Sequence, residues 1–316
     1  MQLPVLYIVV PCYNEEEVLP ITSKMFTDKL AYLTDKGKIS EKSRVMFIND
    51  GSRDSTWDII TRLSETDERC IGIALSRNRG HQNALLAGLM EAKEMCDVTI
   101  SIDCDGQDDI NAMDEMIDRY LEGCDIVYGV RTSRKTDTFF KRSTAQAFYK
   151  ILTALGVETV YNHADYRLMS SRVLHEFANY KEVNLYLRGM IPLVGFKSAT
   201  VGYDRTERIA GEGHYPLKKM IALAFQGITS LSIKPIRMIL DLGIFTSVAS
   251  FICLAVSSIL FFAGVLHSGL IPAVSLICML LGIQIAATGI VGEYIGKVYM
   301  ETKARPRYII SERTYK

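Results

Sequence analysis

The sequence predicts an α/β domain on a mainly parallel sheet, followed by an apolar two-helix hairpin. Three observations predict it. Short apolar runs alternate with stretches of helical period over the first half of the 316 residues. Polar clusters follow directly on those runs. No Asp, Glu, Lys or Arg occurs among the 51 residues from Leu242 to Gly292.

The elements read off in order. Val5–Val10 is a buried-strand candidate, and so are Arg44–Ile48, Ile71–Leu75, Val98–Ile102 and Asp125–Gly129. Between them Glu16–Thr34, Thr56–Glu65, Gln82–Lys93 and Met113–Leu121 carry helical composition and spacing. Strands alternating with helices feed a parallel sheet, and such sheets form their sites outside the carboxyl ends of the strands.

Composition narrows the class. With 48% hydrophobic and 23% charged residues the chain buries a core and is not disordered. Lys+Arg and Asp+Glu are 36 each, but the zero balance hides a −4 body and a +4 segment from Lys234 onward. A nucleic-acid binder carries a basic body, so that class is excluded. Seven scattered cysteines without a C-x-x-C pair argue against a disulfide framework, and five histidines without H-x-x-x-H spacing argue against zinc.

The charge-free stretch is long enough for two spans of about 20 residues and a turn. They are expected at 242–264 and 273–292, joined by Val265–Pro272. Lys218, Lys219, Lys234 and Arg237 precede the first and Lys297, Lys303, Arg305 and Arg307 follow the second, while the connector holds only His267. The positive-inside rule then puts both termini and the body in the cytoplasm, as a multi-pass protein of the cytoplasmic (inner) membrane. The run Val5–Val10 is too short for a signal peptide and ends at Pro11. Pro216–Ser230 is amphipathic, suited to an interface or to docking on protein. Gly289, Gly292 and Gly296 fit either close helix contact or ordinary glycine usage in such helices. The expected organisation is a catalytic domain 1–215, an interface helix 216–235, the hairpin 236–298 and a basic tail 299–316.

The chemistry gathers at four strand ends: Pro11-Cys-Tyr-Asn-Glu15, Asn49-Asp-Gly-Ser52, Ser76-Arg-Asn-Arg-Gly80 and Asp103-Cys-Asp-Gly-Gln-Asp108. Asp103 and Asp105 are the sharpest feature. Residues two apart in extended chain project to one side, and two hard oxygen donors side by side suit a divalent ion shared with a diphosphate. There is no G-x-G-x-x-G after a strand, no P-loop and no G-x-S-x-G elbow.

These clusters resemble the inverting family 2 glycosyltransferases of the GT-A fold. Asp165-Tyr-Arg-Leu-Met169, Arg208-Ile-Ala-Gly-Glu212, Gly292–Glu301 and Arg305-Pro-Arg-Tyr308 make the chain similar to polyprenyl-phosphate glycosyltransferases such as bactoprenol glucosyltransferases and dolichol-phosphate mannose synthases. The resemblance implies a GT-A nucleotide-diphospho-sugar transferase domain. Its donor nucleotide would be held by Pro11, Tyr13, Asn14, Glu15, Asp50 and Asp103. It further implies Mg2+ or Mn2+ on Asp103, Asp105 and Gln107, phosphate contacts from Arg131 and Arg208, and Asp165 at the position usually proposed as catalytic base. Gly213 and His214 stand where the family often has Ser then Lys.

The implied reaction moves a hexose from a UDP-sugar to polyprenyl (undecaprenyl) phosphate, feeding cell-envelope glycan modification. Glucose is the first expectation, ahead of N-acetylglucosamine, galactose and aminoarabinose. The family also implies a homo-oligomer, often a tetramer. A phosphate monoester with a second pKa near ~6 is largely dianionic at neutral pH, so Asp165 either acts as base or orients the acceptor and balances Arg167 and Arg208. A processive polysaccharide synthase would carry Q-x-x-R-W, and the single tryptophan, Trp57, lies in no such context. A non-catalytic nucleotide-sugar sensor would not need the acidic pair, Asp165 and both arginines together.

Overall fold

A computed structural model describes residues 3–132, 163–182, 186–205 and 270–315. Strand β1 (Leu6–Cys12) leads through α1 (Leu19–Asp35) to β2 (Arg44–Asn49), and α2 (Thr56–Thr66) leads to β3 (Cys70–Leu75). Next come α3 (His81–Ala92), β4 (Val98–Ser101), α4 (Ala112–Leu121) and β5 (Ile126–Arg131). Then follow β6 (His163–Ser170), α5 (Ser171–Phe177), a helical turn Leu187–Met190, β7 (Ser198–Tyr203), a long helix Leu270–Lys303 and β8 (Ile310–Arg313).

The strands form one eight-stranded sheet in the order β7-β5-β6-β4-β1-β2-β3-β8. β1 pairs parallel with both β2 and β4, β2 with β3, and β5 with β7. β6 and β8 run antiparallel to their neighbours. The mainly parallel α/β sheet expected from the sequence is therefore present. The antiparallel β6 and the C-terminal β8 carry no continuous apolar run, and only long-range pairing makes them strands.

Every residue of β1 is buried, as a central strand covered on both faces requires. Its side chains alternate between two cores. Leu6, Ile8 and Val10 pack with Phe26 and Leu30 of α1 and Met113 and Met116 of α4. Tyr7 and Val9 pack with Leu85, Leu86 and Leu89 of α3 and with Val173 and Phe177 of α5. At Gly88 of α3 a Cβ would meet Ile48 and Val9 side-chain atoms at 2.6–2.7 Å, so its absence lets the helix sit close on the sheet.

The C-terminal region corrects an expectation. Of the two spans, 242–264 lies outside the described residues. The second, 273–292, lies inside one continuous helix that runs on through Glu293, Lys297, Glu301 and Lys303. That helix begins at Leu270, so Pro272 sits in its first turn, where proline is tolerated, and not in a connector. Among the described residues no helix is long and apolar enough to cross a membrane. This overturns the multi-pass inner-membrane localisation. A charge count over 242–292 measured apolarity without knowing where helices start and stop. Nothing described lies within 4 Å of a Cβ built on Gly289, Gly292 or Gly296. The interface-helix segment 216–235 is outside the described residues. The tail 299–316 supplies β8 at the sheet edge.

Candidate active site

The carboxyl ends of β1 to β4 meet on one rim, tied together by side chain to backbone bonds. After β1, Asn14 takes a positive φ of 54°, which Asn tolerates. Its backbone N–H donates to Ser52 Oγ at 3.0 Å and its Oδ1 accepts from Arg53 N at 2.9 Å. Glu15 N donates to Thr56 Oγ1 at 2.9 Å, and the Glu15 carbonyl caps the first turn of α1. Pro11 is buried within β1, while Tyr13 is 43% exposed. Gly51 has φ +65°, and a Cβ there would sit 2.5 Å from the Arg77 carbonyl carbon and Asn78 N. The β2 and β3 loops touch through that gap.

Asp50 is buried, and its oxygens accept from Arg79 N at 2.7 Å and Gly80 N at 2.9 Å. Burial pushes its carboxyl up against those two N–H groups. The structure thus gives Asp50 a loop-tethering role at the start of α3.

The acidic loop follows β4. β4 ends at Ser101, so Asp103 lies in the loop that follows and Asp105 in its turn, and neither is on the strand that the spacing suggested. They take different partners. Asp103 Oδ1 lies 3.5 Å from His81 Nε2. Asp105 Oδ1 accepts from Gln107 N at 3.1 Å, and its Oδ2 lies 3.6 Å from Arg205 Nη2. Asp108 Oδ1 accepts from Tyr203 Oη at 2.9 Å, and Arg131 Nε reaches that same hydroxyl at 3.4 Å. Burial, then the charge of Asp103, pushes Asp108 up to about 6 against Arg131, Tyr203 and Arg205.

Asp165, on β6, is 12% exposed and surrounded by cations. Arg188 meets both its oxygens, at 3.2 and 2.9 Å, and Arg167 Nη2 lies 2.5 Å from Oδ1. His81 Nε2 stands 3.7 Å from Oδ2. Burial alone would raise this carboxyl, but Arg188, His81 and Arg167 outweigh it and hold it well below the usual range. Burial would lower His81, yet the nearby carboxylates of Asp165 and Asp103 outweigh it and bring it to about 9. With 42% of that side chain exposed, water screens part of the coupling.

The structure thus brings Asp103, Asp105 and Gln107 onto one loop with Asp165 nearby, and puts Tyr13, Asn14 and Glu15 on the neighbouring loop. Arg131 is turned to Tyr203. Arg208 lies outside the described residues, as do Gly213 and His214. Sequence reading gave no role to His81, Arg188 or Arg205. Each belongs to a helix start, a helical turn or a strand end with no periodic or motif signal.

The donor set fits a divalent ion shared with a ligand. Asp103 Oδ1 and Asp108 Oδ2 are buried without a hydrogen-bond partner. Among the described residues no three of His, Cys, Asp and Glu form a ready cage. Magnesium-type sites use one or two carboxylates and complete their shell from phosphate and water.

Comparison with known proteins covers nearly the whole chain. The profile described as glycosyl transferase family 2 matches residues 7–178. The glycosyltransferase YkoT of Bacillus subtilis (strain 168) is 49% identical over 310 residues, 97% of this chain and 91% of that one. The bactoprenol glucosyl transferase of Shigella phage SfX is 36% identical over 313 residues, 97% of this chain and 98% of that one. Glucosyl-3-phosphoglycerate synthase from Mycobacterium tuberculosis, crystallised with Mn2+, UDP and phosphoglyceric acid, superposes with a TM-score of 0.43 at 17% identity. The match covers 72% of this chain and 77% of that one.

Proposed function

The chain belongs to glycosyl transferase family 2, and from that premise we propose that it transfers glucose from UDP-glucose to polyprenyl phosphate with inversion. The observation that carries this reading is the bridge made by His81, whose Nε2 lies 3.5 Å from Asp103 and 3.7 Å from Asp165. One imidazole nitrogen thus faces both the acid on the diphosphate side and the acid on the acceptor side. Similarity along 97% of the chain to a bactoprenol glucosyl transferase supports the lipid-phosphate acceptor.

Asp103, Asp105 and Gln107 would hold Mg2+ or Mn2+, which when bound neutralises charge developing on the departing diphosphate. Tyr13, Asn14, Glu15 and the loops that Asp50 tethers form the donor's seat. Arg131 and Arg208 serve the phosphates. The acceptor oxygen attacks the anomeric carbon as the bond to the nucleoside diphosphate breaks. A dianionic acceptor has no proton to give up, and a carboxylate held as low as Asp165 is a weak base. Asp165 therefore fixes Arg188 and Arg167 in place and orients the acceptor. Holding two reactants in line is the chief contribution of these residues.

The test is incubation of the purified full chain with polyprenyl phosphate, Mn2+ or Mg2+ and a panel of labelled UDP-sugars. The expected product is a lipid-linked monosaccharide, formed fastest from UDP-glucose. Label in polymer, or none in lipid with any donor, overturns the reading. The implied homo-oligomer is read by light scattering on the same preparation.

A further inference from the structure

A cavity of about 490 Å³ opens beside the rim, within the usual range of small-ligand sites. Its walls come from both ends of the chain. Tyr13, Ser52 and Arg77 line it from the loops after β1, β2 and β3 and Trp57 from α2, and Ser311 and Glu312 line it from β8. β8 is held there by several bonds. It pairs with β3, Ser311 Oγ donates to Ala74 O at 3.1 Å, and Gly72 N donates to Thr314 Oγ1 at 2.8 Å. Arg313 and Tyr315 both reach Glu91 of α3. Across the cavity edge, Trp57 Nε1 donates to Glu312 Oε2 at 3.2 Å. The second carboxylate oxygen has no partner among the described residues. Nothing in the sequence reading gave this tail a role in the site.

The cavity's chemistry fits a planar base with an N–H edge. Tyr13 offers an exposed aromatic face on which a base stacks. A carboxylate accepts hydrogen bonds and donates none. It favours a base whose edge centres on a ring N–H, as in uracil or guanine. It disfavours one presenting a ring-nitrogen lone pair, as in cytosine or adenine.

We propose that β8 closes the base pocket of the donor site and that Glu312 selects the nucleobase, accepting a hydrogen bond from the ring N–H of uracil or guanine. This inference rests on the reading of the chain as a nucleotide-sugar transferase. It assigns base selection to a residue 255 positions away from Trp57, on a strand outside the segment matched by the family profile.

The test uses the full chain with Mn2+ and titrates UDP, GDP and CDP. Trp57, the single tryptophan, is the fluorescence reporter, and calorimetry provides a second measure. The wild-type protein should bind UDP or GDP about tenfold or more tighter than CDP, the size of one charge-assisted hydrogen bond. Glu312→Gln should shrink that ratio to about threefold or less, because an amide can turn its NH2 toward cytosine N3. Glu312→Ala should weaken UDP binding about tenfold. Asp105→Ala should weaken UDP and CDP alike. If UDP binds and the Glu312 variants keep the wild-type preference, this inference fails and the transferase reading stands. If the wild-type protein binds no nucleoside diphosphate, both fail.

Discussion

Arg188 grips Asp165 with two hydrogen bonds, Nε to Oδ1 at 3.2 Å and Nη2 to Oδ2 at 2.9 Å. Arg167, fully buried and two residues along the same strand β6, adds a third. A carboxylate so engaged stays ionised at any pH where the protein works. Asp165→Asn should lower kcat about a hundredfold, with a loss that is flat between about pH 6 and 9. A base role would instead make the deficit shrink as pH rises. Steady-state rates across that range decide between the two.

The same substitution leaves Arg167 with an uncompensated buried charge, since its Nε and Nη1 already lack partners. Removing one member of a buried pair costs about 3 kcal/mol. Asp165 has a folded pKa below its unfolded one. Its stabilisation is therefore complete above an unfolded value of roughly 3.9 and is lost as pH falls through the lower folded value. Urea melts at neutral pH should show the full gap between wild type and Asp165→Asn, and melts at progressively lower pH should show it closing.

Asp105→Ala should abolish metal-dependent turnover in a protein that still folds, at a cost of about 1–3 kcal/mol, because the buried carboxylate accepts from Gln107 N but lies in neither apolar core. Excess chelator should have the same effect on the wild-type enzyme. Full turnover in chelator would remove Asp103, Asp105 and Gln107 from a metal role.

Gly51→Ala introduces a Cβ 2.5 Å from the backbone of Arg77 and Asn78 at a φ of +65°. The β2 and β3 loops must then separate, at a cost of about 2–3 kcal/mol. Gly37→Ala, just past the end of α1, is the control. Its φ is +65° with nothing within 4 Å of the new Cβ, so only backbone strain of about 1 kcal/mol is expected. Thermal melts of the two variants should differ in that order, with nucleotide binding lost in the first.

Glu91 is held below its usual value by the Arg313 hydrogen bond, with Tyr315 contributing. The docking it gives β8 is present above an unfolded value of roughly 4.3 and fades as pH drops below it. Glu91→Gln should lower the hydrogen-exchange protection of Ile310–Arg313 at neutral pH to the level that the wild type shows only in acid. Equal exchange in both proteins at neutral pH would contradict this.

Much of the rim was legible in the primary structure because the signals are local. Val5–Val10 and Arg44–Ile48 show buried parallel strands by uninterrupted apolar runs, and the polar residues that follow must lie at the strand ends. Asp103 and Asp105 stood out by residue type alone, although their loop geometry did not. In the apolar stretch 242–292 the second expected span, 273–292, falls inside a helix that starts at Leu270 and runs to Lys303, bounds that apolarity alone does not give.

What the sequence by itself determined is the alternation of strand and helix, and with it the edge at which chemistry collects, since both follow from backbone period and side-chain polarity over neighbouring residues. The tertiary structure alone decided that His81 stands between Asp103 and Asp165, that Arg188 reaches Asp165 from another element, and that Glu312 meets Trp57. Those contacts join residues far apart in the chain. They form because sheet pairing and two-sided burial bring the strands' ends together, and no local pattern of residues encodes such a meeting.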